Sequence, residues 1–132
     1  MDSPTKILEQ PEEITATVEV LLKNVTSKHE STSCIDVLDL FHKDKKLYAL
    51  PVVNDKDRPV GMIVRQDLTE FFSKQYVKEL NGKKPITILM DSNPIVVDRS
   101  TSIEDVSRII LDAGMEHMVS GFIITKDKRY LG

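Results

Sequence analysis

The chain has 132 residues, 40% of them hydrophobic and 30% charged, and its 18 basic and 21 acidic side chains leave a net charge of −3. That balance disfavours a nucleic-acid or anionic-membrane surface as the main partner, and a chain of this size buries roughly two thirds of its unfolded surface, enough for a real core. No apolar run approaches the roughly 20 residues of a membrane span, and the acidic start "MDSPTKILEQPEEI" lacks the basic-then-apolar layout of a signal peptide, so the expected compartment is the reducing cytoplasm. Residues 1–13 read as a loose N-terminal tail. After the lead-in "VEVLLKNVTSKHES", a helix opens at Ser33, with Asp36 at the spacing that lets a hydroxyl cap a free N–H while the acid meets the positive helix end. Cys34, Val37, Leu38 and Phe41 then fall on one face. Cys34 is the only cysteine, cannot close an internal disulfide, and reads as a small buried residue.

"LYALPVV" follows as a buried strand, "NDKDRP" as a polar turn and "VGMIV" as the returning strand of a hairpin. A second helix is expected from Arg65 or Asp67 to Leu80, with Leu68, Phe71, Phe72 and Tyr76 as its apolar side and Asn81-Gly82 as its stop. "KKP" at 83–85 is a joint, and "ITILMDSNPIVVDRS" leads into a third helix at Ser102, with Asp105 at the capping distance and Ile103, Val106 and Ile110 along one face. "VSGFII" and the turn "TKDKRY" close the chain.

These pieces repeat. "STSCIDVLDLF" at 31–41 aligns with "STSIEDVSRII" at 100–110, an offset of 69 (31 to 100). "VVNDKDRPVG", ending at Gly61, aligns with "IITKDKRYLG", ending at Gly132, an offset of 71 (61 to 132). The chain is therefore an internal duplication with a small insertion between helix and strand. The register between the two lead-in stretches stays open. Each unit reads as strand, helix, strand, strand, helix, an α/β (α+β) arrangement, with the first unit at 14–82 and the second at 83–132. The second is expected to lack its last strand and helix, as a fragment of a longer protein would. Neither unit, at about 60 residues, is expected to fold alone.

A tandem β-α-β-β-α unit carrying "ALPVVND" and then "GMIVRQDL" resembles a pair of cystathionine β-synthase (CBS) domains, a Bateman-type module. The stretch from "NGKKP" onward is similar to the CBS pair of bacterial cyclic-di-GMP signalling proteins with EAL and GGDEF output domains. The resemblance implies a regulatory module, not an enzyme, within a parent that is a diguanylate cyclase or cyclic-di-GMP phosphodiesterase. It implies an adenine nucleotide or nucleoside as regulatory ligand in the cleft between units, a homodimer, and output domains in the same parent chain as partners.

The family motif of Gly, two apolar residues, Ser or Thr, two of any kind and Asp reads here Gly61-Met62-Ile63-Val64-Arg65-Gln66-Asp67. By resemblance, Asp67 stands at the ribose-binding position, Val64 replaces the hydroxyl, and either Arg65 or the helix N-terminus beginning nearby compensates toward a phosphate. Val25, Thr26 and Ser27, with Ala49, Leu50 and Pro51, line the same cleft. An acid in a first helical turn also stabilises its helix by ~0.3–1 kcal/mol whatever binds. The competing reading is a ligand-free dimerisation or interaction module.

Other chemistry is sparse. His29, His42 and His117 lie apart, with no cysteine or acid at ligand spacing, and read as surface residues; no metal is expected. Glu12 with Glu13, and Asp36 with Asp39, have no apolar setting that would split them into acid and base. No glycine-rich phosphate loop or nucleophile motif occurs. Lys43, Lys45 and Lys46 complement the negative end of the first helix, which leaves open a phosphate-reaching role for one of them.

Overall fold

Ser33 and Ser102 start the two longest helices in the same way. In the computed structural model, which describes residues 16–74, 80–114 and 121–132, each serine hydroxyl accepts from a backbone N–H one turn on. The donors are Asp36 at 3.2 Å and Asp105 at 3.0 Å. The elements of the first unit are β1 (Lys28–His29), α1 (Cys34–Lys43), β2 (Ala49–Val53), β3 (Pro59–Val64) and α2 (Arg65–Phe72). Those of the second are β4 (Val96–Asp98), α3 (Ile103–Ala113), β5 (Ile123–Lys126) and β6 (Arg129–Tyr130). Short 3-10 turns at Val18–Leu21 and Ile86–Ile88 precede the two units.

Each unit carries one three-stranded sheet of the same design, a parallel pair followed by an antiparallel one. β1 runs parallel to β2, with Lys28 opposite Val52, and β2 runs antiparallel to β3, with Leu50 opposite Ile63 and Pro51 opposite Met62. β4 runs parallel to β5, with Val97 opposite Ile124, and β5 turns back on β6. Asp127 and Lys128, both in the left-handed region at φ 54 and 68, close the second hairpin in two residues. The first hairpin is longer, with an irregularity between Val52 and Val53, and the Asn54 side chain accepts from the N–H groups of Lys56 and Arg58.

Strand alternation sorts the side chains. Leu50 and Val52 point inward with Ile63, joining Cys34, Val37 and Phe41 of α1 and Leu68 of α2 in one core. The second core contains Ile95, Val97, Val106 and Ile124. Each core also holds one fully buried residue from the other unit. Ile86, fully buried, completes the first core, and Val18, equally buried, completes the second.

Backbone hydrogen bonds hold both plugs in matching places. The Ile86 N–H donates to Thr32 O at 2.8 Å, as Val18 N–H does to Thr101 O at 2.9 Å. The free N–H at the start of each helix is taken up by the exchanged segment, Cys34 N–H on Lys84 O and Ile103 N–H on Ala16 O. Two glycines make the exchange sterically feasible. A Cβ on Gly61 would stand 2.9 Å from Asp91 O, and one on Gly132 would stand 2.7 Å from Lys23 O, both closer than real side chains approach. The crossing segment and β3 bond at the first of these places, Met62 N–H to Asp91 O and Asp91 N–H to Met62 O.

Some expectations need correction. The second helix ends at Phe72, where the Ser73 N–H and hydroxyl both turn back onto Glu70 O, so it does not run through to Leu80. Tyr76, the tail 1–13 and His117 lie outside the described residues. The lead-in stretches are mostly 3-10 turn and extended chain, with strands of two and three residues, because their work is to cross between cores. The register left open in the sequence is now given by His29 and Asp98, which hold equivalent places: they stand opposite Val53 and Thr125, and the carbonyl of each accepts from the N–H of the threonine three residues on. The last strand of the second unit is present at its beginning: β6 pairs with β5, and Gly132 continues the pairing through two hydrogen bonds with Ile124.

Ile86→Ala should therefore destabilise a unit to which residue 86 does not belong, by about 2–5 kcal/mol. Urea unfolding followed by circular dichroism should show one transition moved to lower urea for the whole chain. Two separate transitions, only one of them shifted, would contradict the shared core.

A candidate ligand cleft between the two units

The face of β2 opposite the first core borders a cleft of 430 Å³. Ala49 and Pro51 of β2 and Met62 of β3 form one wall, followed by Lys46, Leu47 and Tyr48 from the segment before β2. Leu21, Lys23 and Val25 come from the first lead-in, and Gly121, Phe122, Ile124 and Gly132 from the second unit. Most of the lining is apolar, two aromatic residues belong to it, and its charged members among the described residues are Lys23 and Lys46.

Arg65 organises the wall. Its Nε donates to Leu47 O at 2.8 Å and its guanidinium to Asp44 O at 2.6 Å, while its backbone N–H donates to Tyr48 O at 2.8 Å. The guanidinium carbon also lies 5.0 Å from the centre of the buried Phe41 ring. Arg65 thus neutralises the carbonyl-rich end of α1 and fixes the chain from Asp44 to Tyr48, which carries Lys46 and Tyr48 to the cleft. Both of its recorded side-chain hydrogen bonds go to backbone carbonyls.

Tyr130 ties the units together beside the cleft. Its hydroxyl donates to Val25 O, and its backbone N–H donates to Asp57 O at 2.7 Å. Burial, with the Asp57 charge as a smaller contribution, pushes the phenol up to about 12.

Of the residues singled out from sequence, the structure gathers Val25, Ala49 and Pro51 in the cleft. Thr26 and Ser27 follow Val25 but are no part of the lining, and Leu50 points into the core. Gly61 lies beneath the crossing at Asp91. Val64 is buried at the N-terminal cap of α2, where no side-chain bond is made. Asp67 is exposed in the first turn of α2 and borders a separate hollow of 300 Å³ with Glu70, Phe71, Lys74, Ile88 and Leu89. Tyr48, Met62, Lys23 and Phe122 were missed. Phe122 stands where Leu50 stands in the first unit, since Ile124 and Val52 are the residues that pair with the crossing glycines.

His29 does have an acid beside it. Its Nδ1 accepts from the Ser31 backbone N–H at 3.1 Å, which leaves Nε2–H to donate to Asp55 at 2.5 Å. The acid comes from the hairpin turn, not from neighbouring sequence. This exposed pair fastens the end of β1 to that turn and is worth at most about 1 kcal/mol. Burial raises the Cys34 thiol, in keeping with a packing role in the first core.

Two similar units, an exchanged lead-in and a cleft between them match a known architecture. The CBS domain model matches the chain twice, over residues 18–74 and 77–132. The chain belongs to the CBS-domain family. Its CBS pair is 28% identical to CBSX2 of Arabidopsis thaliana, with a TM-score of 0.70 over 89% of this chain and 86% of that one. CBSX2 in complex with AMP gives 28% identity and a TM-score of 0.69, over 89% of this chain and 87% of that one. The CBS domains of a Streptococcus pneumoniae transcriptional regulator share the fold at 23% identity, TM-score 0.66, over 88% of this chain and 89% of theirs. The uncharacterized protein MJ1404 of Methanocaldococcus jannaschii is 27% identical over 128 residues, which is 89% of this chain and 29% of that relative. The chain thus spans less than a third of that curated relative's length.

The raised Tyr130 phenol sets a pH dependence. A folded-state value near 12 against an ordinary value of 10.0 means the contribution is complete below pH 10 and is lost as pH rises toward 12. Tyr130→Phe should cost about 0.5–1.5 kcal/mol at neutral pH, the net worth of one hydrogen bond. Above pH 10 the stability difference between parent and Tyr130→Phe should shrink in chemical denaturation; a constant difference would exclude the hydroxyl.

Proposed function

We propose that this CBS pair is a regulatory sensor that takes an adenine nucleotide in the cleft between its units and passes a change of arrangement to attached output domains. The cleft itself carries the reading: both units supply its walls, so a ligand filling it favours one relative arrangement of the two. The AMP complex of CBSX2, a similar CBS pair, supports an adenine nucleotide as the ligand class. Val25, Ala49 and Pro51 are the contacts inside the cleft. The outputs are of the EAL and GGDEF type that the sequence resembles, in a cytoplasmic parent that acts as a homodimer.

The alternative is a ligand-free interaction module. Leu111 and Ile109 of α3, 68% and 41% exposed, and the missing hydroxyl at Val64 favour it.

AMP at about 100 times its dissociation constant should stabilise the fold by ~2.7 kcal/mol, several degrees of melting temperature at this size. Asp67→Ala should leave both that shift and the ligand-free melting temperature within about a degree of the parent's, because Asp67 borders a separate hollow. A panel of adenosine compounds at millimolar concentration that shifts nothing, together with a dimer in light scattering, would select the interaction module instead.

A further inference from the structure

Tyr130 bonds out of its own unit to two different parts of the other. Its hydroxyl donates to Val25 O, on the wall of the cleft, and its backbone N–H donates to Asp57 O at 2.7 Å, in the first hairpin turn. That turn is closed on the Asn54 side chain, which accepts from the N–H groups of Lys56 and Arg58, and it is tied to the end of β1 by His29 and Asp55. The stretch 25–29 is therefore held to the turn at both ends, directly at His29 and by way of the other unit at Val25.

The repeat shows that the fold does not require this. Two residues before its crossing glycine the first unit has Pro59, which has neither a hydroxyl nor an N–H to donate. The place equivalent to Val25, two residues after the crossing residue, is Asn93, whose N–H donates to the Asp91 carboxylate at 2.9 Å. The Lys23 side chain accepts nothing, and the Val25 N–H turns back onto Lys23 O at 3.0 Å. The second lead-in is braced by its own side chain, the first by a residue of the opposite unit.

We infer that Tyr130 is a latch that makes occupancy of the cleft and docking of the first hairpin turn one event, so that the exposed residues 55–58 report whether the cleft is filled. This rests on the nucleotide reading above, and it adds a positioning residue that acts on the lining through Val25. The cleft has its 430 Å³ with both Tyr130 bonds closed, so a ligand that fills it favours the latched arrangement. By reciprocity, a looser turn must bind that ligand more weakly. A chain of contacts carries such coupling only where its links make and break together, and amide exchange reads that directly.

NMR amide exchange with AMP as the probe tests the latch on the full chain, on Tyr130→Phe, which keeps the ring and the N–H, and on Asn54→Ala, which loosens the turn from outside the lining. In the parent, AMP at about 100 times its dissociation constant should slow exchange of the Tyr130 N–H at least about tenfold relative to the Asp36 N–H on Ser33. Tyr130→Phe should remove most of that slowing and weaken AMP binding roughly two- to tenfold, and Asn54→Ala should weaken binding in the same direction. An unmoved Tyr130 N–H in the AMP-bound parent, or parent affinity in both variants, would overturn the latch and leave the nucleotide reading in place. If AMP does not bind the parent, the nucleotide reading fails and the latch is decided without ligand. Tyr130→Phe should then speed exchange of the amide at position 130 about fivefold, and an unchanged rate overturns the latch as well.

Discussion

Neither hydrophobic core closes without a side chain from the other unit. Ile86 and Val18 are fully buried in cores whose strands and helices belong to the opposite repeat. The N–H groups at the helix starts depend on the same exchange, because Lys84 O and Ala16 O accept from them. A unit of about 60 residues is short of core, and sharing one residue each way removes an exposed end and a cavity together. The fold is one cooperative object made of two similar halves, held by packing and backbone bonding that are nearly the same at both ends.

The cleft is a by-product of that exchange. Each lead-in must pass over the hairpin of the other repeat, and the passage leaves a space bordered by β2, β3 and the second unit. Arg65 and Tyr130 then stiffen its edges. The first fixes the segment between α1 and β2, and the second, from the second unit, bonds to Val25 and Asp57 of the first. Both residues act on backbone carbonyls, so the walls are held in position with the cleft open to a ligand.

Local chemistry was readable without a structure. The serine caps, the apolar face of α1, the β2–β3 hairpin and the duplication all follow from spacing, and each is present. The site was readable only in part. Val25, Ala49 and Pro51 come together, but the roles given to Arg65 and Asp67 rested on motif position. Arg65 turned to the carbonyls of Asp44 and Leu47, a choice decided by where α1 ends. Asp67 faces a different hollow from the cleft. The exchange was hidden because a 3-10 turn of four residues has too short a period to reveal where its one buried residue goes. Long-range partners such as His29 with Asp55, or Tyr130 with Val25, have no local signature at all.

Gly61 and Gly132 have a consequence for how such a chain can diverge after duplication. The two copies already differ in spacing between helix and strand, and their hairpins differ in length and turn type, yet both retain the same bare backbone where the foreign segment passes. Insertions are free to accumulate wherever the chain meets only solvent. At the two crossings they are not, since any side chain would collide with main chain that cannot rotate aside. These positions behave as fixed rivets between copies that otherwise drift, and they allow a ligand preference to evolve on one side of the molecule while the other side keeps only the architecture.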